Sequence, residues 1–146
     1  MLQAWLASVL ISGGNSNTMS YVAGGLQAGP ISVWNSSSGT QPQIIPLNNS
    51  VINNQIILGI GPKPGQEGNA TANVGAGITA EWAGPVSGFS PLTKIGTGVL
   101  ALSNATSTYT GNLIVNDGML QAAHSNAFGT PTLTVNGGTA KLSPGL

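Results

Sequence analysis

Two stretches of the chain, LIVNDGMLQA at residues 113–122 and LTVNGGTAKL at residues 133–142, align at an offset of 20 without a gap. The aligned stretches share four identical pairs, which are Leu113 and Leu133, Val115 and Val135, Asn116 and Asn136, and Gly118 and Gly138. One further step of 20 residues back reaches Gly98, in the column of the two glycines. A repeat of this length, with short apolar runs and no helical period, predicts a right-handed β-solenoid with coils of about 20 residues.

Stacked files of residues follow from such a repeat, because paired strands of neighbouring coils lie about 4.8 Å apart. Equivalent positions must therefore hold side chains that can pack on one another. The predicted apolar files are Ala80 with Leu100 and Leu120, Trp82 with Leu102 and Ala122, and Val115 with Val135. At the same offset, Leu58 is expected to extend the column of Ile78 and Gly98 by one more coil, and Ile60 is expected to extend the column of Ala80 and Leu100.

The repeated Asn and Gly residues predict a corner of the coil. Glycine allows positive φ at Gly118 and Gly138, and Asn tolerates similar backbone angles. The side-chain amide of Asn136 can also pair with that of Asn116 one coil away. We therefore expect both pairs to lie at a tight turn.

Short strands are expected along most of the chain. Gly, Pro, Asn, Ser and Thr interrupt the apolar runs every few residues, so no helical period survives past the first dozen residues. The predicted strands are residues 31–34, 44–47, 51–60, 70–74, 78–82, 99–102, 113–115, 119–122, 133–135 and 139–142. The all-β class follows from their number, their shortness and the turn residues between them.

The composition excludes several classes of function. Among 146 residues there are 3 basic and 3 acidic side chains, so the net charge is zero and no basic stripe exists for binding nucleic acid. The absence of Cys removes disulfides and Cys-ligated zinc. The sequence contains no run of 18 apolar residues, so it predicts no membrane-spanning helix. The apolar opening, residues 1–12, lacks the positive region of a signal peptide and is interpreted as a buried first element or the start of a truncated chain.

Candidate catalytic and ligand-binding residues are few. A hydrolase triad would have to use His124 and Asp117, and paired carboxylates would have to come from Glu67, Glu81 and Asp117. Three acids do not suffice for a calcium site, and the Gly-Thr-Gly of residues 96–98 lacks the third glycine and the following helix of a dinucleotide motif. The sequence therefore predicts no enzyme, no metal and no cofactor.

Aromatic side chains could instead stack on sugars. The candidates are Trp5, Trp34, Trp82, Tyr21 and Tyr109. We interpret Trp82 as packing above Leu102, and Tyr109 as packing at a corner, since single aromatic residues in β proteins mostly serve packing. A carbohydrate-binding module remains the alternative.

Four motifs in succession resemble a known family. They are LTKIGTGVLALS at residues 92–103, TYTG at 108–111, VNDGMLQ at 115–121 and LTVNGG at 133–138. Together they are similar to the autotransporter-associated β-strand repeat of bacterial passenger domains. The resemblance covers residues 86–142, extends in weaker form over 44–85, and hardly reaches residues 1–43.

The resemblance implies a right-handed parallel β-helix that is secreted or displayed at the surface of a Gram-negative-type cell, where the repeat serves as a stalk. We therefore expect a solenoid region at residues 44–146 and a divergent cap or assembly strand at residues 1–43. The expected function is that of a non-catalytic extracellular building block of an adhesin, sheath or filament. Its expected partners are copies of itself, joined end to end or by strand donation, and the alternative partners are glycans or a host surface.

Overall fold

The chain forms strands and turns throughout its described part, which comprises residues 9–13, 18–21, 30–35, 43–59 and 69–142 of a computed structural model. No helix occurs among these residues, and none of them forms a helical segment able to cross a membrane. The strands are β1 (Val9–Gly13), β2 (Thr18–Tyr21), β3 (Ile31–Asn35), β4 (Gln43–Pro46), β5 (Ser50–Ile52), β6 (Ile56–Leu58), β7 (Ala70–Asn73), β8 (Thr79–Trp82), β9 (Val86–Gly88), β10 (Leu92–Ile95), β11 (Val99–Leu102), β12 (Asn112–Val115), β13 (Met119–Ala122), β14 (Thr132–Val135) and β15 (Thr139–Leu142). The all-β prediction is confirmed.

Three parallel sheets form the sides of a coil. Sheet A contains β1, β3, β6 and β9 in spatial order, sheet B contains β2, β4, β7, β10, β12 and β14, and sheet C contains β5, β8, β11, β13 and β15. Every pairing within these sheets is parallel. The chain passes from sheet A to sheet B to sheet C. Its next strand then returns to sheet A and pairs beside the previous strand of that sheet. This arrangement confirms the predicted parallel β-solenoid.

The register of the later coils is that of the sequence repeat. Leu100 pairs with Ala80 on one side and with Leu120 on the other, and Leu102 pairs with Trp82 and Ala122. Strands β8, β11 and β13 of sheet C alternate between buried and more exposed residues. Because side chains of a strand point alternately to its two faces, one residue in two fills the interior of the coil.

The earlier coils are longer than the repeat predicts, with paired residues 22 to 30 positions apart. Ser50 pairs with Ala80, 30 positions on, and Ile52 pairs with Trp82. Leu58 lies in sheet A between Val33 and Gly88, so the prediction that it extends the column of Ile78 and Gly98 is wrong. A constant offset of 20 fails here because the connection between β6 and β7 lengthens the coil. Ile60, the other residue of that prediction, lies outside the described residues.

The predicted strand at residues 51–60 is two strands, β5 and β6, with a corner between them. The apolar run hides this corner, where the chain leaves sheet C for sheet A at residues 53–55. Four of the described strands were not predicted, namely β1 and β2 in the N-terminal segment and β9 and β10. The last two are short, and Gly88 and Lys94 interrupt their apolar pattern.

After β9, sheet A contains no further regular strand within the described residues. Thr108 N donates to Val86 O at 2.9 Å and Thr110 N donates to Gly88 O at 3.0 Å, so the next coil continues the hydrogen-bond ladder in irregular backbone. At the other end, β1, β2 and β3 pair in parallel with their neighbours in sheets A and B. The strands of residues 9–35 are thus layers of the same stack.

Candidate functional site

The corner between sheets B and C brings the repeated glycines into one file. Met119 N donates to Gly98 O at 3.1 Å, and Thr139 N donates to Gly118 O at 2.9 Å. A Cβ atom at Gly118 would lie 2.4 Å from the carbonyl oxygens of Gly96 and Gly98, and one at Gly138 would lie 2.6 Å from Gly118 O. The backbones of successive turns therefore touch, and a side chain at either position would force them apart.

Positive φ is needed at one of the two expected positions. Gly118 has φ of 67°, whereas Gly138 is not among the glycines with positive φ. At position 138, glycine is required only because the preceding turn approaches closely. The same corner holds the paired amides, because Asn136 Nδ2 donates to Asn116 Oδ1 at 2.8 Å.

The last described coil leaves two core positions open. Leu113 and Val115 of β12 have no exposed surface, but their partners in β14, Leu133 and Val135, are 42% and 46% exposed. Within the described residues no strand pairs with the outer edges of β14 and β15. Leu133, Val135 and these two strand edges form a surface that we call the open coil.

A buried lysine, which the residue pattern does not predict, joins two successive turns. Lys94 has no exposed surface, and its Nζ donates to Ile95 O at 2.9 Å, to Gly96 O at 2.5 Å and to Asp117 O at 3.2 Å. Burial lowers the pKa of Lys94, and the charge of Asp117 opposes that shift. The signal that could have found it is register, because Lys94 pairs with Val115, an inward residue.

Tyr109 fills the interior beside the irregular side of the coil. Its hydroxyl oxygen lies 2.7 Å from Ser90 O and 2.8 Å from Asn112 O, so the phenol proton has two backbone acceptors. Burial raises the pKa of the Tyr109 phenol above its ordinary value. The side chain thereby links the carbonyl of Ser90 to that of Asn112 at the start of β12.

Comparison with known families identifies the segment that carries most of these contacts. Residues 92–122 match the family model of the passenger-associated-transport-repeat. This confirms the resemblance to autotransporter passenger repeats. The matched segment runs from the start of β10 to the end of β13 and includes Lys94, Gly98, Tyr109 and Gly118. No match was found among curated proteins or among solved structures.

The passenger-associated-transport-repeat and the solenoid together fit an autotransporter passenger. Such a repeat implies a secreted or cell-surface location, and it suggests a structural module. The repeat contacts described above are backbone and packing contacts, which agrees with that interpretation.

The candidate catalytic side chains lie in separate places around the repeat. Asp117 is exposed, and its Oδ1 accepts a hydrogen bond from Gly118 N at 2.7 Å within the turn. Glu81 Oε1 accepts from Ser103 Oγ at 2.5 Å on the outer side of sheet C, and His124 is exposed. Glu67 lies outside the described residues, which contain no group of three or more His, Cys, Asp or Glu placed to hold a metal ion.

The described aromatic candidates face inward. Trp82 and Tyr109 are 1% and 2% exposed, so neither can stack on a sugar. Trp5, and the side chains of Tyr21 and Trp34, lie outside what the structure describes. The packing interpretation therefore holds for Trp82, which pairs with Leu102, and for Tyr109 within the passenger repeat.

Tyr109→Phe is expected to lower the free energy of unfolding at neutral pH by about 1–3 kcal/mol, because the carbonyls of Ser90 and Asn112 lose their shared donor. A raised folded-state pKa stabilises the fold below the phenol's ordinary value of 10.0, and this contribution is lost as the pH rises above it. The difference between the wild type and Tyr109→Phe should therefore shrink in urea titrations above pH 10.0. A constant difference across the alkaline range would contradict this assignment.

Proposed function

We propose that this chain is a non-catalytic building block of a bacterial surface structure, an adhesin stalk, sheath or filament, and that it extends by stacking copies of itself end to end. The observation that carries the proposal is the open coil. Within the described residues, Leu133 and Val135 stand in the same files as Leu113 and Val115, but no further coil covers them. A further coil in the same register would bury them.

Parallel sheets make the two ends of the stack complementary. In an all-parallel sheet, the groups left free at one edge match those left free at the opposite edge of an identical sheet. Sheet B runs from β2 to β14, and no described strand pairs with the outer edge of either. A second copy placed by translation can therefore pair its β2 with β14. Such a head-to-tail contact does not close, and it produces a filament.

Charge and strand pairing both favour this mode of assembly. With 3 basic and 3 acidic residues and zero net charge, copies of the chain do not repel one another. Strand donation by residues 1–43 is the other mode, but β1, β2 and β3 already pair within their own chain. End-to-end stacking uses edges that no described strand occupies.

Val135→Lys is expected to abolish assembly, because it places an ammonium group on the open coil, where stacking would bury it without a partner. The matched control is Thr134→Lys, which adds the same charge to the same strand on its other face. Negative-stain electron microscopy and light scattering should show rods or filaments for the wild type and for Thr134→Lys, and monomers for Val135→Lys. A monomeric wild type at high concentration, or equal assembly of both variants, would contradict end-to-end stacking.

A further inference from the structure

The corner of the last described coil contains a chemically labile pair. Asn136 followed by Gly137 is the single Asn-Gly dipeptide of the sequence. Contacts with the preceding coil explain both residues. The Asn136 amide donates to Asn116 Oδ1 at 2.8 Å, and a Cβ atom at position 137 would lie 2.5 Å from Asn116 O. Stacking on the preceding coil therefore requires both an amide at position 136 and a glycine at position 137.

The backbone nitrogen of Gly137 is weakly held. Its distance to Val115 O is 3.5 Å, and that same oxygen already accepts from Asn136 N at 2.8 Å. A bond of 3.5 Å to an occupied acceptor is at the limit of hydrogen bonding. Asn136 is exposed, so water and hydroxide reach the pair. The backbone nitrogen that directly follows Asn136 in the chain therefore has little to restrain it.

We propose that Asn136 is a self-modification site, which the chain converts to aspartate and isoaspartate without an enzyme. Hydroxide removes the proton of Gly137 N, and the nitrogen attacks Cγ of Asn136. A bond forms between that nitrogen and Cγ, the bond from Cγ to Nδ2 breaks, and ammonia leaves with a proton from water. Water then opens the five-membered ring at either carbonyl, which yields aspartate or isoaspartate with no oxidation or reduction.

The modification changes the corner in two ways. A carboxylate at position 136 has no proton to donate to Asn116 Oδ1, and it adds a negative charge to a chain whose net charge is zero. Isoaspartate also lengthens the backbone between β14 and β15. The hydrogen bond from Thr139 N to Gly118 O depends on that spacing. The last described coil is therefore loosened from the one before it.

Asn116 provides an internal comparison in the same file. It is exposed and stands at the equivalent corner, but the next residue is Asp117 in place of glycine. The Asp117 side chain hinders attack by its own backbone nitrogen, a hindrance that glycine lacks. A barrier that is higher by about 1.4 kcal/mol slows a reaction tenfold. We expect Asn116 to react at least about tenfold more slowly than Asn136.

The test is peptide mapping by mass spectrometry of the purified full chain, incubated folded at mildly alkaline pH. The expected result is an amide-to-acid mass shift at Asn136, partly as isoaspartate, that precedes any shift at Asn116. Asn136→Gln keeps an amide but requires a larger ring, so the acidic species that accumulates on ion exchange should disappear in that variant. Gly137→Ala is unsuitable on its own, because its Cβ would meet Asn116 O.

Equal rates at Asn136 and Asn116 in the folded chain would overturn the proposal, and so would an acidic species that persists in Asn136→Gln. The proposal does not depend on end-to-end assembly, because the reacting groups belong to one chain. A monomeric protein that deamidates at Asn136 would support the modification and contradict the filament. Filaments with an unmodified Asn136 would do the reverse.

Discussion

Gly118→Ala is expected to lower the free energy of unfolding by about 4 kcal/mol or more, at the upper end of single substitutions. The residue has φ of 67°, a conformation that costs a non-glycine residue about 1–2 kcal/mol. The larger part of the lost stability comes from the Cβ atom of the alanine. This atom would lie 2.4 Å from two carbonyl oxygens, those of Gly96 and Gly98. To relieve these contacts the coils must separate, which breaks the bond from Met119 N to Gly98 O. Urea denaturation followed by circular dichroism measures the change.

Gly77→Ala is the matched control. Gly77 has φ of 74°, close to that of Gly118, but a Cβ there would meet no atom within 4 Å. Its substitution should therefore cost the backbone strain alone, about 1–2 kcal/mol. If both alanine variants lose the same stability, close stacking of the turns is not what requires glycine at position 118.

Trp82→Ala is expected to cost about 3–5 kcal/mol, as for other buried aromatic residues truncated to alanine. Trp82 is 1% exposed and pairs with Ile52 on one side and with Leu102 on the other, so truncation would open a cavity in the middle of a file. The coils on either side cannot close it without losing their own register. Thermal and urea unfolding, followed by circular dichroism, give the free energy difference.

Trp82→Phe separates packing from hydrogen bonding at the same position. Trp82 Nε1 is buried with no hydrogen-bond partner among the described residues, so removing it leaves no acceptor unsatisfied. We expect Trp82→Phe to lose clearly less stability than Trp82→Ala, because a phenyl ring fills most of the volume that alanine would leave empty. A loss as large as that of the alanine variant would mean that the indole nitrogen contributes and that packing alone does not explain the residue.

The sequence was informative about the later coils because stacking acts at a constant offset. Leu100, Leu120 and the glycine column could be placed from a self-alignment, since each residue packs on its counterpart 20 positions away. The corner of Asn116 and Asn136 followed from the same alignment. The alternation of inward and outward residues and the constant repeat length are both visible in the sequence. Together they define the solenoid and its interior.

Lys94 shows why part of the candidate site could not be predicted. A lysine is normally solvated, and the three backbone oxygens that receive its ammonium group come from two different turns. Their convergence depends on how far one coil is from the next. The open coil is similar, because exposure of Leu133 and Val135 is a property of the stack and not of residue type.

By itself the sequence determined the fold class, the direction in which residues stack and the length of the later coils. The tertiary structure alone decided that the coil between β5 and β8 has 30 residues, that Leu58 belongs to sheet A, and that Lys94 is buried between turns. The physical reason is that a repeat fixes only which residues face inward. Where a coil carries extra residues, strand pairing selects the register, and the partners of a buried charge are set by backbone distant in sequence.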